Sequence, residues 1–305
     1  MRGGRRAGWR YLPVTRTDAR RALVFGASGQ IGAALLARLA AAGWDVDAVS
    51  RAPPSANGPG LRWHAGGFPD VVAPDAHFDA VFSCGPLDAF SLWYADATLQ
   101  AARVIAFGST SLETKRAAGD PGERALAAAL AASEARVFAA AHASGATATL
   151  LRPTLVYGAA RDASLSRIAA LARRTGVFVL PRDARGLRQP VHVDDLAEAA
   201  LAAVDAPAAT GRAYALPGGE TLPYDAMVRR VLAALPERPR LLRVPSPLFR
   251  LALAAAHAGG RLHGLPAGAV ARMREDLVFD ATPAAHDLGY APREFRPTRE
   301  MLVAG

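Results

Sequence analysis

Cysteine is almost missing from this chain of 305 residues: Cys84 stands alone. A single cysteine excludes an intramolecular disulfide framework and fits a reducing, cytoplasmic setting. Lysine is equally scarce, with Lys115 alone beside 35 arginines. Such a bias, with so much alanine, reads as genome composition. A lysine that survives it is a candidate for a site that needs an amine of tunable pKa, which arginine cannot supply. Aromatic residues make up only 7% of the chain. No apolar run reaches the roughly 18 residues that cross a bilayer. The seven histidines are scattered, so no metal-ligand spacing is present. The N-terminal region lacks the apolar stretch of a secretory signal.

The net charge of +9 would suit a nucleic-acid binder, but its distribution argues otherwise. Residues 1–21 hold seven arginines and one acid, Asp18, which leaves a near-neutral body. Residues 1–20 are therefore expected to form a basic, disordered tail or to come from an upstream translation start. No nucleic-acid partner is expected. The length allows one large domain or two small ones, and 51% hydrophobic residues suffice for a full core.

What is present starts at residues 21–32, where a short apolar run leads into glycines at 26, 29 and 32 and then into helical spacing. A strand feeding a glycine turn and a helix aims unpaired N–H groups and a helix dipole at one point, which suits a pyrophosphate. Gly26 permits the tight turn, Gly29 lets the phosphates approach, and Gly32 lets the helix pack close. Ser28, Gln30 and Ile31 belong to the same cradle. Residues 44–49 alternate as a second strand, ending at Ser50 and Arg51. An acid there would hold an adenosine ribose 2′-hydroxyl, whereas an arginine suits a 2′-phosphate. Asp47 lies too early, so NADP is expected, with NAD as the alternative.

Further strands are expected over 61–64, 78–83, 103–107, 146–151 and 211–216. Helices are expected over 88–102, 121–144, 161–172, 225–235 and 245–258. Cys84 and Gly85 close the fourth strand. Lacking an evident histidine partner, Cys84 reads as a small wall residue rather than a nucleophile. Ser109, Thr110 and Ser111 close the fifth strand, followed by Lys115.

Four segments together resemble the short-chain dehydrogenase/reductase superfamily in its extended, epimerase/dehydratase branch. They are the GxxGxxG turn, Arg152-Pro153-Thr154-Leu155-Val156-Tyr157-Gly158, residues 188–197 with His192 and Asp195, and Leu288-Gly289-Tyr290-Ala291-Pro292. The resemblance spans residues 21–303. It implies a doubly wound parallel α/β sheet of Rossmann type with a smaller C-terminal α/β substrate lobe. The dinucleotide-binding part would be 21–160 and 190–216, and the lobe 161–189 and 217–305. It further implies that Cys84, Gly85 and Ser109 pass beside the cofactor, and that Pro153, Thr154 and Val156 line the nicotinamide face. Thr110 would hold the reacting oxygen, and Arg188 a substrate diphosphate. Tyr157 would be structural.

One departure stands out. Extended members carry Tyr-x-x-x-Lys, usually followed four residues later by glutamate. Glu134 matches the glutamate, but Leu126 and Leu130 stand where the tyrosine and lysine belong, and no Tyr-x-x-x-Lys occurs in the chain. Lys115, near Thr110, is one candidate to take the proton role, and a tyrosine or acid of the C-terminal lobe is the other. The expectation is an NAD(P)-binding oxidoreductase or epimerase acting by hydride transfer on an anionic or sugar-like small molecule, as a monomer or homodimer. The alternative is a catalytically silent NADP-binding sensor or assembly subunit.

Overall fold

Long apolar runs such as Ala-Leu-Val-Phe and Ala-Val-Phe are what strands need when helices cover both faces of a parallel sheet. In the computed structural model, which describes residues 19–54, 56–249, 251 and 271–303, they form the centre of a seven-stranded sheet. Its strands are β1 (Arg21–Phe25), β2 (Asp45–Ser50), β3 (Leu61–Ala65), β4 (His77–Ser83), β5 (Gln100–Phe107) and β6 (Thr147–Pro153), with the last contributed by Arg212–Leu216. The spatial order is β3-β2-β1-β4-β5-β6 and then Arg212–Leu216, all parallel. Helix α1 (Gln30–Ala41) packs on one face. Helices α2 (Leu87–Asp96) and α4 (Pro121–Ala143) pack on the other, and α3 (Ser111–Thr114) is a single turn between β5 and α4. The long α4 starts sharply because Asp120 accepts a hydrogen bond from the Glu123 N–H at 2.8 Å and Pro121 occupies the first turn.

Helix α5 (Leu165–Thr175), strand β8 (Val177–Pro181) and helix α7 (Tyr224–Ala233) build a separate apolar cluster. Tyr157, Leu222, Phe295 and Leu302 complete it. Between these elements lie the short strands β7 (Val156–Tyr157), β9 (Leu187–Arg188) and β10 (Val191–His192), and helix α6 (Val193–Asp205) returns the chain to the main sheet beside α1. Tyr157 is buried edge-on against His192 and Phe295, and burial pushes its phenol up to about 12.

Two boundaries differ from the sequence expectation. The helix expected over 88–102 stops at Asp96: Ala97 is extended, and the Gln100 N–H joins the Ala76 carbonyl at 2.7 Å to begin β5. The helix expected from residue 161 starts at Leu165. Asp162 accepts from the Ser164, Leu165 and Ser166 N–H groups and so holds the preceding residues in a turn. Arg20 belongs to the folded body, pairing with Asp205 at 2.7 Å and lying over the Trp44 ring. The expected tail up to residue 18, and residues 250 and 252–258 of the last expected helix, lie outside the described residues.

Candidate functional site

In a parallel sheet every strand ends on the same edge, and the order turns back on itself at β1, between β2 and β4. That reversal opens a crevice at the carboxyl edge, where open α/β sheets bind ligands. Here it is a cleft of ≈ 430 Å³ lined by Gly26, Ser28, Gly29, Ser50, Arg51, Cys84 and Gly85, together with Gly66, Gly67 and Phe68. Seven of the sequence-selected residues thus meet in one place, while Gln30, Ile31 and Gly32 stand behind them in the first turn of α1.

Each glycine has a different reason to be there. Gly26 has φ +68, and a Cβ on it would lie 2.9 Å from the Cys84 carbonyl carbon and the Gly85 nitrogen. It holds the β1 turn against the end of β4. A Cβ on Gly32 would lie 2.3 Å from the Gly26 oxygen, so Gly32 allows α1 to start directly under the turn. Helix α1 has no side-chain cap and no acid in its first turn. Its N–H groups and dipole therefore point into the cleft without an internal anion. The cradle fits a dinucleotide diphosphate.

The second strand end is equally specific. The Ser50 hydroxyl is 2.7 Å from the Ser28 hydroxyl and accepts the Ala52 N–H at 3.2 Å, tying the β2 end to the glycine turn. Asp47 is turned away: Arg62 donates to it at 2.9 and 3.0 Å, and His64 lies at 2.8 Å. Burial would raise its pKa, but hydrogen bonds from Arg62 and His64 outweigh that and hold it below the usual carboxylate range. Arg51 is exposed, and its stem lies across Gly67, where a Cβ would come within 2.8 Å of its Cγ. Gly67 thus leaves room for the arginine stem.

Arg161 was grouped with the C-terminal lobe by sequence alone, yet it donates to the Ser28 carbonyl at 2.7 Å across 133 residues. No local pattern signals that approach. Cys84 meets the opposite condition for a nucleophile: burial pushes its thiol up to about 12. At pH 8 the folded protein is expected to react with a chromogenic disulfide reagent at least about a hundredfold more slowly than the unfolded chain. Comparable rates would show a thiolate that this wall does not provide.

A second group sits at the ends of β5 and β6. Thr110 is 7% exposed, and both its N–H and its hydroxyl donate to the Pro153 carbonyl, at 3.3 and 3.1 Å. The Thr154 hydroxyl donates to the Gln189 carbonyl at 2.5 Å, and Ser109 accepts the Ser111 N–H at 3.1 Å. Val156 is partly buried against the apolar face beneath α1. Below the strip, Arg152 grips Glu134 through two hydrogen bonds of 2.8 and 2.5 Å and reaches Glu113 at 3.0 Å.

The sequence profile of the NAD-dependent epimerase/dehydratase family matches residues 22–89 and 94–216. The chain belongs to the NAD-dependent epimerase/dehydratase family. No curated protein sequence matches it significantly. Several solved structures share its fold. An epimerase of Methanothermobacter thermautotrophicus is 14% identical with a TM-score of 0.68, covering 93% of this chain and 91% of that one. A UDP-glucose 4-epimerase of Thermotoga maritima, solved with UDP-glucose, is 16% identical with a TM-score of 0.65, covering 90% and 94%. The enzyme WbmF of Bordetella bronchiseptica, solved with NADH, is 14% identical with a TM-score of 0.66, covering 93% and 89%.

In this epimerase/dehydratase chain the remaining selected residues are placed in unexpected company. Leu130 packs against the apolar cluster under α2, and Leu126 is 43% exposed on α4. Arg188 is 6% exposed. It donates to the Leu187 carbonyl at 2.7 Å, to the Glu275 carbonyl at 2.8 Å and to the Arg272 carbonyl, and it lies over the Tyr224 ring. Burial lowers its pKa. Lys115 closes α3, with Nζ 3.9 Å from Glu123.

Proposed function

We propose that this chain is an NADP-preferring member of its family that transfers hydride to or from an anionic or sugar-like small molecule, with Thr110 and Lys115 replacing the usual tyrosine and lysine. The observation that carries the cofactor reading is the β2 end. No acid stands at that end, the nearest, Asp47, is engaged by Arg62 and His64, and Arg51 lies at the cleft over Gly67. Gly26, Gly29 and the first turn of α1 would hold the diphosphate, and Arg161 adds a cation beside Ser28. That NAD and NADH occur in solved members of the fold supports the cofactor class. UDP-glucose and UDP-glucuronic acid complexes of MoeE5 support a sugar-like, anionic substrate.

When bound, the cofactor supplies the hydride donor or acceptor. Oxidising an alcohol also releases its hydroxyl proton, which needs a base. Thr110 donates its own proton to the Pro153 carbonyl, so its oxygen lone pairs are left to accept from a substrate hydroxyl. Lys115 is the one lysine, and burial, followed by the Arg272 charge, lowers its pKa, which favours the amine that could take that proton. Arg188, whose guanidinium is engaged by carbonyls, would act on a substrate diphosphate through one edge at most.

The test pairs binding with turnover. NADPH is expected to bind at least about tenfold more tightly than NADH, and Arg51→Ala to erase that preference while leaving NADH affinity unchanged. Over a panel of carbonyl compounds and sugar nucleotides, the turnover found is expected to fall at least about a hundredfold in Thr110→Ala or Lys115→Ala. Tight NADPH binding with no turnover on the whole panel would support the silent sensor instead. A native preference for NADH would overturn the Arg51 argument.

A further inference from the structure

Lys115 and Arg272 address the same atom. Glu123 Oε1 pairs closely with the Arg272 guanidinium, and the same oxygen stands 3.9 Å from Lys115 Nζ, outside hydrogen-bond reach. Among the described residues no group accepts a hydrogen bond from Nζ. The three residues come from three segments. Lys115 ends α3, Glu123 sits in the first turn of α4, and Arg272 belongs to the far C-terminal part of the chain.

Arg272 is held in place by its own neighbours. Its carbonyl and that of Glu275 accept from Arg188. The Gly186 N–H donates to Met273 at 3.0 Å, the Leu277 N–H to Leu187 at 2.9 Å, and the Leu187 N–H to Asp276 at 2.8 Å. A Cβ on Gly186 would lie 2.2 Å from the Glu275 oxygen, so close seating of residues 272–277 requires glycine there. The Glu123 backbone is fixed as well, since its N–H is bonded to Asp120.

We propose that Arg272 and Glu123 are positioning residues for Lys115: by docking Arg272 onto Glu123, the C-terminal segment withholds that carboxylate from the lysine and keeps its amine available for proton transfer. The charged groups facing Lys115 are then Arg272, Glu123 and Asp120. Burial and Arg272 disfavour the ammonium, and Asp120 opposes them. This assigns Arg188 a structural task, because it anchors the segment that delivers Arg272. It also ties proton chemistry at the β5 end to the seating of an element more than 150 residues away, without either residue touching substrate. Its catalytic meaning rests on the proton role proposed for Lys115, but the electrostatic coupling stands apart from that role.

The single lysine makes the coupling directly measurable. Reductive methylation with 13C-formaldehyde labels Lys115 and the N-terminal amine of the full chain, and Lys115→Arg assigns the two signals. The titration midpoint of the Lys115 signal is expected to rise by about one pH unit in Arg272→Met, where Glu123 is released to the lysine. It is expected to fall by a similar amount in Glu123→Gln, where Arg272 remains alone beside it. An unmoved or lowered midpoint in folded Arg272→Met overturns the proposal. If that variant does not fold, Glu123→Gln decides alone, and an unmoved or raised midpoint there is equally fatal. Absence of turnover on every substrate would remove the catalytic role of Lys115 but would not move these midpoints, so the two failures are distinct.

Discussion

Gly32→Ala is expected to destabilise the protein by on the order of 3–5 kcal/mol and to abolish dinucleotide binding with it. The added methyl would lie 2.3 Å from the Gly26 oxygen, 2.7 Å from the Ala27 Cα and 2.8 Å from the Ala27 oxygen. All three are backbone atoms at the carboxyl edge of the sheet, in a turn whose position is set by β1 and by the end of β4. A flexible side chain could swing away, but this backbone cannot move without lifting α1 off β1. That movement would open the apolar cluster containing Ile31, Leu35 and Leu39. Gly43→Ala is the control. Gly43 has φ +74 but nothing within 4 Å of its would-be Cβ, so only left-handed strain of about 1 kcal/mol applies. Urea unfolding and NADPH fluorescence titration of both variants check the contrast. A Gly32→Ala protein within 1 kcal/mol of the parent would show that the turn is more compliant than its packing implies.

Arg152→Met is expected to cost about 3–5 kcal/mol, because it leaves the Glu134 carboxylate buried without its partner. Glu134 is 5% exposed and receives two parallel N–H bonds from one guanidinium, the geometry in which an ion pair is strongest. The third arm of Arg152, on the more exposed Glu113, adds little by comparison. Removing both charges should be milder than removing one. The Arg152→Met/Glu134→Leu double variant is expected to recover at least half of the loss, since an apolar pair of similar volume replaces a desolvated ion pair well. A double-mutant cycle in urea measures this, and strictly additive losses would mean that the pair is not coupled. The pair also supports the site. A Cβ on Gly108 would lie 3.0 Å from Glu134 Oε1, so the carboxylate packs directly beneath the strand end that carries Ser109 and Thr110.

Much of this architecture could be read before any coordinates. The glycine turn, the six strands after it and the β2 end were legible because strand patterning and turn chemistry act over a few residues. Arg51 stands at the β2 end, where its place in the chain put it. The errors had two sources, one long-range and one local. The helix predicted to run to residue 102 ends at Asp96 because β5 is recruited early by β4, a pairing that helix propensity does not contain. The helix predicted from residue 161 is delayed by Asp162, whose side chain competes with the helical N–H pattern. The fit of Gly67 beneath the Arg51 stem has no local sequence signal.

By itself, then, the sequence determined the succession of strands and the glycine turn that follows the first of them. Each is a property of residue type at short spacing. Only the tertiary structure decided where the arginines go. Arg161 reaches Ser28, Arg188 turns to the carbonyls of residues 272 and 275, and Arg272 takes the carboxylate nearest Lys115. Guanidinium groups on long, flexible stems find partners more than 80 residues away once the chain is packed, and no local pattern encodes which partner is in reach.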